Sequence, residues 1–467
     1  MTLASVNEQI GRQRWTICAL IFAATTVNYL DRNVLGLLKP VLSTAGVFGA
    51  DKADQELNYS TVVICFQIAY AVGMLFAGKF IDKVGTKSGY AWALIGWSFA
   101  AVGHAFGHHT WSFGMWRAAL GGTEAGNFPA ANKAVAEWFP KKERAFATGL
   151  YNSGANVGAI VAPLTVPYVA TAWGWEWAFI LTGAAGLLWV ALWYPLYASP
   201  GAKLRSGKLS QAEFNYIHSD ADEQEAEKND VAKEKVSWFK LLTFRQTWAF
   251  VAGKFMTDPV WWFFLFWLPA FLAGENTRKV QAFMAAHPEY TGAESTIPGV
   301  ISWPFAVAVV YTISTVGSIF GGWLPKRLIN GGMDANKARK TAMFVFALLP
   351  LTVLLASRLG NVNTWLAVAT ISIACAAHQA WSANIFTTVS DMFPKKTVAS
   401  VTGIGGMAGA VGGILVSRAA GLLFKHYEKQ GHIEIGYGIL FIGCGLAYVI
   451  AWAIMHLLVP RFKKIVL

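Results

Sequence analysis

Residues 27–40 read VNYLDRNVLGLLKP and set an acid beside an arginine, Asp31 and Arg32, inside a stretch that is almost wholly apolar from Trp15 onward. A helix that enters a bilayer at Trp15 climbs about 24 Å before it reaches Asp31, at 1.5 Å per residue. That depth is past the middle of a hydrocarbon core about 30 Å thick. Ionised side chains are costly there and normally have a partner or a water-filled path. The pair therefore predicts a functional site inside a membrane.

The composition also predicts a membrane protein. Of the 467 residues, 55% are hydrophobic and 14% charged, and the mean hydropathy is +0.42, whereas about a quarter of a soluble protein is charged. The first apolar run is too long for the core of a signal peptide, so none is expected. Runs of spanning length fall at residues 15–38, 59–79, 88–107, 111–136, 146–170, 176–198, 246–273, 300–324, 341–357, 363–388, 399–424 and 436–459. We predict an all-α integral membrane protein with twelve transmembrane helices in two sets of six.

Lysine and arginine predict the orientation of these spans, because cytoplasmic loops are enriched in both. Every second connection is basic, whereas alternate ones, such as residues 107–111 and 170–175, are nearly uncharged. We call the side of the membrane on which the basic connections lie the basic side. We predict that this side is cytoplasmic and that both termini lie on it. The net charge of +12 is thereby assigned to this face and not to a nucleic-acid partner. The basic positions are Arg12, Arg14, Lys79, Lys83, Lys87, Lys141, Lys142, Arg144, Lys326, Arg327, Lys337, Arg339, Lys340, Lys395, Lys396, Arg461, Lys463 and Lys464.

The interval 199–240 is polar and contains the mixed-charge run DADEQEAEKNDVAKEK. It predicts a cytoplasmic linker with some helix between an N-terminal bundle, residues 1–198, and a C-terminal bundle, residues 241–467. A regulatory partner site is the alternative. The four cysteines lie in apolar runs without a CxxC spacing and are expected to be buried packing residues, not disulfides or metal ligands: Cys18, Cys65, Cys375 and Cys444.

The two halves share an internal repeat. FPKKERAFATG at 139–149 matches FPKKTVASVTG at 393–403, an offset of 254 residues, and this offset also superposes Gly158 on Gly412. A weaker match joins GKFIDKVGTK at 78–87 to GGWLPKRLINGG at 321–332, where Pro325 replaces Asp82. Parallel halves of this kind are a known transporter architecture with the substrate at the midplane.

Over its whole length the chain resembles the major facilitator superfamily, and Asp82, Gly85 and Lys87 match its Gly-x-x-x-Asp-x-x-Gly-x-Lys motif after the second helix. YLDR in the first span and GGTEAGNFPAANKAVAEWFP in the fourth resemble the anion:cation symporter family. YLDRNVLGLLKP, TDPVWWFFLFWLP and HQAWSANIFTTVSDMFPKK resemble its hexuronate transporters.

The resemblance implies proton-coupled uptake of galacturonate or glucuronate, with the two halves rocking around a central site. It implies that Asp31 and Glu124 carry protons and that Arg32 holds the substrate carboxylate. The loop with Asp82, Gly85 and Lys87 would latch helices on the cytoplasmic side. Transport of another acid, such as galactonate or glucarate, or coupling to Na⁺, is the alternative.

The residues themselves suggest the same site. Arg32 shares a helical face with Asn28, Leu35 and Lys39 and neighbours Tyr29; its guanidinium fork suits a carboxylate. Structural pairing of Asp31 and Arg32 with other helices, and a snorkelling Lys39, are the alternatives.

Arg117 and Glu124 lie seven residues apart on one face of the fourth span, about 10 Å from each other, so each needs another partner. Arg117 is either a substrate-binding or a gating residue. Lys133 and Glu137, one turn apart, are predicted to form a cytoplasmic gate pair.

Further polar or aromatic side chains are candidates for binding sugar hydroxyls, with helix packing as the alternative for each. At the repeat offset, His378 occupies the position of Glu124. In the same half, Lys254 and Asp258 are expected to pair with each other. The remaining candidates are Gln67, Tyr70, Asn152, Trp261 and Gln379.

Two other classes of function fit the sequence less well. A membrane enzyme would need a nucleophile–base set, a metal cluster or a phosphate-binding loop, and the linker at 199–240 carries none of these patterns. A non-transporting sensor is the remaining alternative. We therefore predict a transporter and not an enzyme, without cofactor or metal, whose partners are a sugar acid, a proton and the lipid bilayer of a bacterial inner membrane.

Overall fold

A computed structural model describes residues 11–219, 237–463 and 465. Its described residues form helices and connecting segments, without a strand. The charged run DADEQEAEKNDVAKEK of the expected linker lies outside them. The helices are α1 (Gln13–Thr44), α2 (Lys52–Val84), α3 (Thr86–Gly103), α4 (Thr110–Glu124), α5 (Asn127–Trp138), α6 (Lys141–Trp173), α7 (Trp175–Leu196), α8 (Pro200–Arg205), α9 (Gln211–Ile217), α10 (Trp238–Leu241), α11 (Arg245–Ala286), α12 (Trp303–Asn330), α13 (Ala335–Leu348), α14 (Ala356–Val362), α15 (Thr364–Met392), α16 (Lys395–Glu428) and α17 (Ile433–Leu458).

The predicted spans correspond to these helices in order. Among the described residues, nine helical segments are long and apolar enough to cross a membrane. The other three expected spans are α1, with its intramembrane charges, the 18-residue α3, and the fourth span, which is divided between α4 and α5 at residues 125–126. The ninth span consists of α13, a 3₁₀ turn at Leu349–Leu355, and α14. The predicted all-α membrane architecture is confirmed.

The seventh span is longer than the sequence suggested. The apolar run ends near residue 273, but α11 continues to Ala286 and is 42 residues long. The extension is held by polar contacts to the segments around it: Asn276 donates to the Ile301 carbonyl and accepts from the Ile301 amide, and Lys279 donates to the Gly360 carbonyl. Polarity marks where the hydrocarbon core ends and not where the helix ends.

The chain forms two compact units. The first comprises residues 1–34, 65–162 and 169–235, and the second comprises residues 35–64, 163–168 and 236–467. Within the second unit, the end of α1 and the start of α2 pack on α11 and α16: the Tyr59 hydroxyl donates to the Phe266 carbonyl at 2.7 Å, and Lys425 pairs with Asp54 at 2.6 Å. The division into bundles at residues 199–240 remains a prediction.

The described part of the linker docks on the first unit through buried charge. Glu213 of α9 is buried and accepts from the backbone amide of Arg14, whose guanidinium also pairs with Glu143 at 2.9 Å. Tyr216 donates to Glu143 at 2.7 Å, and burial together with this carboxylate raises the pKa of Tyr216 to about 12, so the phenol remains a donor at neutral pH. The described part of this segment contains the expected helix, but it packs on the first unit and is not the wholly solvated linker that the sequence suggested.

The internal repeat is also a repeat of helix packing. In the first unit Gly158 of α6 lies against α1, where an added Cβ would overlap the Thr26 carbonyl oxygen. In the second unit Gly412 of α16 lies against α11, where a Cβ would overlap the Phe255 carbonyl oxygen. Small residues let membrane helices approach this closely. The repeat therefore preserves the contact and not only the letters.

We expect Gly158→Ala and Gly412→Ala each to destabilise the protein by about 1–3 kcal/mol, because the added methyl meets backbone that cannot move aside alone. The measurement is the apparent melting temperature in detergent micelles. Gly149→Ala and Gly403→Ala are matched controls, because a Cβ at either position meets no atom within 4 Å; both should melt at or above the parent temperature. Equal losses at all four positions would contradict this interpretation.

Candidate functional site

The charge pair of the first span is not an isolated dipeptide, because Arg32 binds an acid on another helix. Its Nε and one terminal nitrogen both donate to Oε2 of Glu124 on α4, at 3.0 and 2.8 Å. Both side chains are inside the protein, with 5% and 0% of their surfaces exposed. The terminal nitrogen also donates to Asn28 at 3.4 Å, one turn earlier on α1. Oε1 of Glu124 accepts no hydrogen bond from the described residues.

Three aromatic rings surround the Arg32 guanidinium. Its carbon lies 4.9 Å from the ring centre of Tyr29, 4.8 Å from Tyr70 and 5.3 Å from Phe66. Tyr70 and Phe66 stack on each other on α2. Faces of aromatic rings attract a cation, more strongly when water is excluded. The rings therefore stabilise the positive charge of Arg32 without neutralising it. A second carboxylate would neutralise it. Phe66 was not predicted, although its i−4 relation to Tyr70 puts it on the same face.

Arg117 of α4 joins this cluster through the backbone. It is fully buried, donates to the Arg32 carbonyl at 3.2 Å, and lies 4.9 Å from the ring of Phe66. The spacing argument that Arg117 and Glu124 need other partners is confirmed, because Glu124 binds Arg32 and Arg117 binds the backbone of α1. Two arginines thus share one small region of the first unit.

Asp31 is a second buried acid near this cluster, and it does not pair with Arg32. It is 2% exposed, and neither carboxylate oxygen accepts a hydrogen bond from the described residues. Thr182 of α7, Glu124 and Arg117 are close enough to act on its charge. An ionised carboxylate without a donor is costly to bury, and binding a proton removes that cost. Among the described residues, Asp31 thus forms no fixed ion pair.

Two polar candidates of the first unit differ in exposure. Gln67 of α2 is 2% exposed, and neither its amide nitrogen nor its amide oxygen has a hydrogen-bond partner among the described residues. Buried amides normally satisfy both groups, so Gln67 has donor and acceptor capacity for a polar ligand. The side chain of Asn152 on α6 is exposed and makes no hydrogen bond to the described residues.

The candidates of the second unit form a ring cluster. His378 of α15 stacks on Trp261 of α11, with ring centres 5.1 Å apart and planes 11° from parallel. Its Nδ1 lies 2.6 Å from the Tyr448 hydroxyl of α17, and Tyr311 of α12 meets Trp261 edge to face. Tyr448 and Tyr311 were not predicted, because one tyrosine in a long apolar run gives little signal. Gln379, the next residue of α15 after His378, is half-buried.

The candidate gate residues lie on the basic side of the first unit. Lys133 was expected to pair with Glu137 but instead binds Asp82 at 2.8 Å. Glu137 accepts from the hydroxyls of Thr86 and Tyr197 at 2.5 Å each. The expected pairing is therefore wrong, because these two side chains reach in different directions across helix ends.

The rest of the motif loop holds neighbouring helix ends in place. Gly85 separates α2 from α3 with a φ of 89°, which favours glycine. The Lys87 ammonium lies 4.7 Å from the ring centre of Tyr194 on α7.

Two further ion pairs are structural. Lys254 and Asp258 bind at 2.7 Å within α11, as the i, i+4 spacing predicted. Lys39 is 4% exposed and binds Glu56 of α2 at 2.6 Å, so it does not snorkel towards water. Both pairs belong to the second unit.

Comparison with known proteins identifies the architecture. The sequence model of the Major Facilitator Superfamily matches residues 21–417. The hexuronate transporter of Escherichia coli K12 is 29% identical over 426 residues, 89% of each chain. The D-galactonate transporter of Escherichia coli O6:H1 is 30% identical over 454 residues, 94% of this chain and 96% of that one. The galacturonate transporter of Dickeya chrysanthemi is 32% identical over 273 residues, 58% of this chain and 76% of that one.

Solved structures agree on the fold. The xylose transporter XylE from E. coli, in an inward open conformation, superposes with a TM-score of 0.70 over 96% of this chain and 97% of that one, at 14% identity. A bacterial homologue of the human lysosomal transporter Spinster gives 0.67 over 97% and 98%, at 16% identity. The predicted transporter fold is confirmed, and the family and its relatives are transporters and not enzymes.

The geometry of the central pair predicts a strong thermodynamic coupling. Arg32→Met leaves Glu124 buried without its cation, and Glu124→Gln leaves Arg32 without its anion, each costing about 3–5 kcal/mol. The double variant should lose much less stability than the two single variants lose in sum, because neither charge is then buried without a partner. The measurement is a double-mutant cycle of apparent melting temperatures in detergent, for the parent, the two single variants and the double variant.

The half-exposed pair of Lys133 and Asp82 is the control for this cycle. Lys133→Met and Asp82→Asn should couple by about 0–1 kcal/mol, because solvent screens the exposed charges. Additive losses at Arg32 and Glu124 would mean that the buried ion pair does not exist in the folded protein.

Proposed function

Because the chain belongs to the major facilitator superfamily, we propose that it takes up a hexuronate, galacturonate or glucuronate, together with a proton by alternating access. The observation that carries this proposal is the buried Arg32–Glu124 pair, an arginine fork held by one oxygen of an acid that can be protonated. The relatives named above, which transport hexuronate, galactonate and galacturonate, support a sugar acid as the substrate class.

Coupling follows from competition for one cation. While Glu124 is ionised, it occupies the two donors of Arg32 that a substrate carboxylate would use. Protonation of Glu124 removes its charge and weakens its hydrogen bonds to Arg32, since bonds between ionised groups are roughly twice as strong as neutral ones. The substrate carboxylate then takes the place of Glu124 on the guanidinium. Proton and anion thus bind together, although neither touches the other.

Asp31 serves as the second proton carrier. It lies beside Arg32 in the sequence and is near enough to Glu124 and Arg117 to respond to their charges. When Glu124 gains a proton, the local negative charge falls, and ionising Asp31 becomes less costly. A proton can therefore pass between two acids of one cluster without a change in the total charge.

The sugar ring needs hydroxyl partners as well as a cation. In the first unit, Gln67 supplies an unpaired amide, and Tyr29, Tyr70 and Asn152 supply further polar atoms, with Arg117 as a second guanidinium. In the second unit, Trp261 offers a ring face, and His378 and Gln379 offer polar atoms. We assign all of these to substrate binding.

Orientation and gating complete the proposal. The alternation of basic loops favours cytoplasmic termini and a multi-pass position in a bacterial inner membrane. Asp82, Gly85, Lys87, Lys133 and Glu137 then lie at the cytoplasmic ends of their helices, where Lys133 and Asp82 bridge α5 and α2. We propose that these contacts act in switching and do not touch the substrate.

The coupling proposal predicts the behaviour of Glu124→Gln. In proteoliposomes with an acidic exterior, the parent protein should accumulate labelled galacturonate, and collapse of the proton gradient should abolish accumulation. Glu124→Gln should lose accumulation but keep exchange of internal for external galacturonate, because its side chain no longer needs a proton to release Arg32.

The matched control is Glu56→Gln, which removes the same charge from another buried ion pair and should still accumulate substrate. Equal loss of exchange and accumulation in Glu124→Gln would contradict its proton role. Accumulation driven by a Na⁺ gradient in the parent protein would favour the Na⁺-coupled alternative.

Competition by unlabelled sugars tests the substrate. We expect galacturonate and glucuronate to inhibit uptake more strongly than galactonate and glucarate, and neutral galactose to have little effect, because it offers no carboxylate to Arg32. Arg32→Lys keeps the charge but loses the fork and should weaken galacturonate binding about 10- to 100-fold, the value of hydrogen bonds to a charged group. Stronger inhibition by galactonate or glucarate would replace the hexuronate with that acid.

A further inference from the structure

A cavity of about 260 Å³ opens on the basic side of the second unit, between the end of α12 and α15. Its lining includes Gly321, Pro325, Lys326, Arg339, Asn384 and Thr387. Its volume is just below the roughly 300–1,000 Å³ of pockets for drug-sized ligands and far above the ~30 Å³ of one water molecule. It is therefore suited to a small polar group, such as a headgroup.

The internal repeat explains why this space is empty of side chains. In the first unit, Lys133 of α5 donates to Asp82 and to the Ile81 carbonyl, so an ion pair bridges α2 and α5 at the corresponding place. In the second unit, Pro325 stands in place of Asp82, and Thr387 stands 254 residues after Lys133. Both replacements line the cavity. The second half thus has neither this acid nor this cation at the equivalent place.

The charges that remain favour an anionic ligand. Arg339 pairs with Asp391, whereas Lys326 is exposed and forms no ion pair with the described residues. Lys326 therefore leaves one unpaired positive charge at the mouth of the cavity. Among the described residues, the lining of the cavity contains no acid.

Two polar side chains of the lining, Asn384 and Thr387, present hydrogen-bond acceptors to the cavity. The Asn384 amide nitrogen donates to the carbonyls of Gly321 and Ala380 at 2.8 Å, which leaves Oδ1 to accept. The Thr387 hydroxyl donates to the Ala383 carbonyl at 2.9 Å, and its oxygen can also accept. A ligand that matches them carries hydroxyl groups as well as a negative charge.

Aromatic and basic side chains mark this region as a membrane interface. Trp323 and Phe320 are exposed on α12 and stack with ring centres 5.3 Å apart, and the Arg327 guanidinium lies 5.1 Å from the Trp323 ring. Tryptophan beside arginine and lysine is typical of the headgroup level. On the proposed orientation, this is the cytoplasmic leaflet, whose surface is anionic, and basic pockets between helices there hold lipid headgroups.

We propose that this cavity binds the headgroup of an anionic phospholipid of the phosphatidylglycerol type. The lipid phosphate binds Lys326, and the glycerol hydroxyls donate to Asn384 and Thr387. The acyl chains leave past the exposed residues Gly322 and Ile329. The site is separate from the residues proposed to bind the transported acid.

Native mass spectrometry of the full-length protein in detergent tests the proposal, with added phosphatidylglycerol, phosphatidylcholine, or inorganic phosphate and glycerol phosphate as free anions. Phosphatidylglycerol should be retained in preference to the other probes. Lys326→Gln should retain it about fivefold less, because a lysine near an anionic lipid contributes about 1 kcal/mol. Pro325→Asp with Thr387→Lys, which rebuilds the first-half ion pair inside the cavity, should reduce retention at least as much.

Lys337→Gln is the matched control, since it removes an exposed charge from the same side without lining the cavity, and it should keep the parent's retention. Equal losses in Lys326→Gln and Lys337→Gln would reduce the effect to general surface charge and overturn the proposal. So would unchanged retention in the filled-cavity variant. Binding of inorganic phosphate as strong as that of the lipid, and sensitive to Lys326→Gln, would make it a free-anion site instead. Melting temperatures near the parent's in all variants exclude unfolding as the cause.

Discussion

The structure of the first unit depends on one buried ion pair, Arg32 with Glu124. Each charge alone would be costly in a membrane interior, and the two offset that cost only while α1 and α4 hold them within hydrogen-bond distance. The pair is nevertheless incompletely satisfied, since Oε1 of Glu124 accepts nothing from the described residues. An arrangement optimised for stability alone would use both oxygens against both arms of the fork. The proposed competition of a substrate carboxylate for Arg32 relies on this incomplete pairing.

Close helix contacts make this pair possible. Gly121 of α4 lies so near α2 that a Cβ would overlap the Phe66 carbonyl oxygen, and Gly158 of α6 does the same to α1. In lipid, such contacts supply much of the association, because hydrocarbon chains are as apolar as the side chains they replace. The glycines thus set the distances at which Arg32, Phe66 and Glu124 meet. Close packing at these glycines therefore stabilises the unit together with the buried ion pair that it positions.

The sequence predicted positions well and partners poorly. Apolar runs located the spans, and fixed spacing within one helix predicted the Lys254–Asp258 pair, because a helix defines which of its own residues are neighbours. Pairing between helices depends on their rotation, which hydropathy does not encode. The acid bound to Arg32, the Lys133–Asp82 bridge and the burial of Lys39 with Glu56 therefore required the structure. Tyr448 and Phe66 were missed for a related reason: an aromatic residue in an apolar run is the expected composition.

The repeat separates what the fold requires from what the site requires. Gly158 and Gly412 make the same backbone contact in their two units, so packing has kept this position small in both halves. Glu124 and His378 also occupy equivalent positions, yet one binds an arginine and the other stacks on Trp261 and meets the hydroxyl of Tyr448. Both positions lie on helices held by the same kind of close contact, and Gly317 of α12 meets α15 at Ala376 as Gly121 meets α2. The side chain that projects from this shared frame is therefore free to differ, and it does so by replacing an ionic contact with stacked rings. In the proposed mechanism, an acid at position 124 releases Arg32 to the transported anion when it binds a proton, whereas the ring stack at 378 contacts the sugar without a change of its own charge.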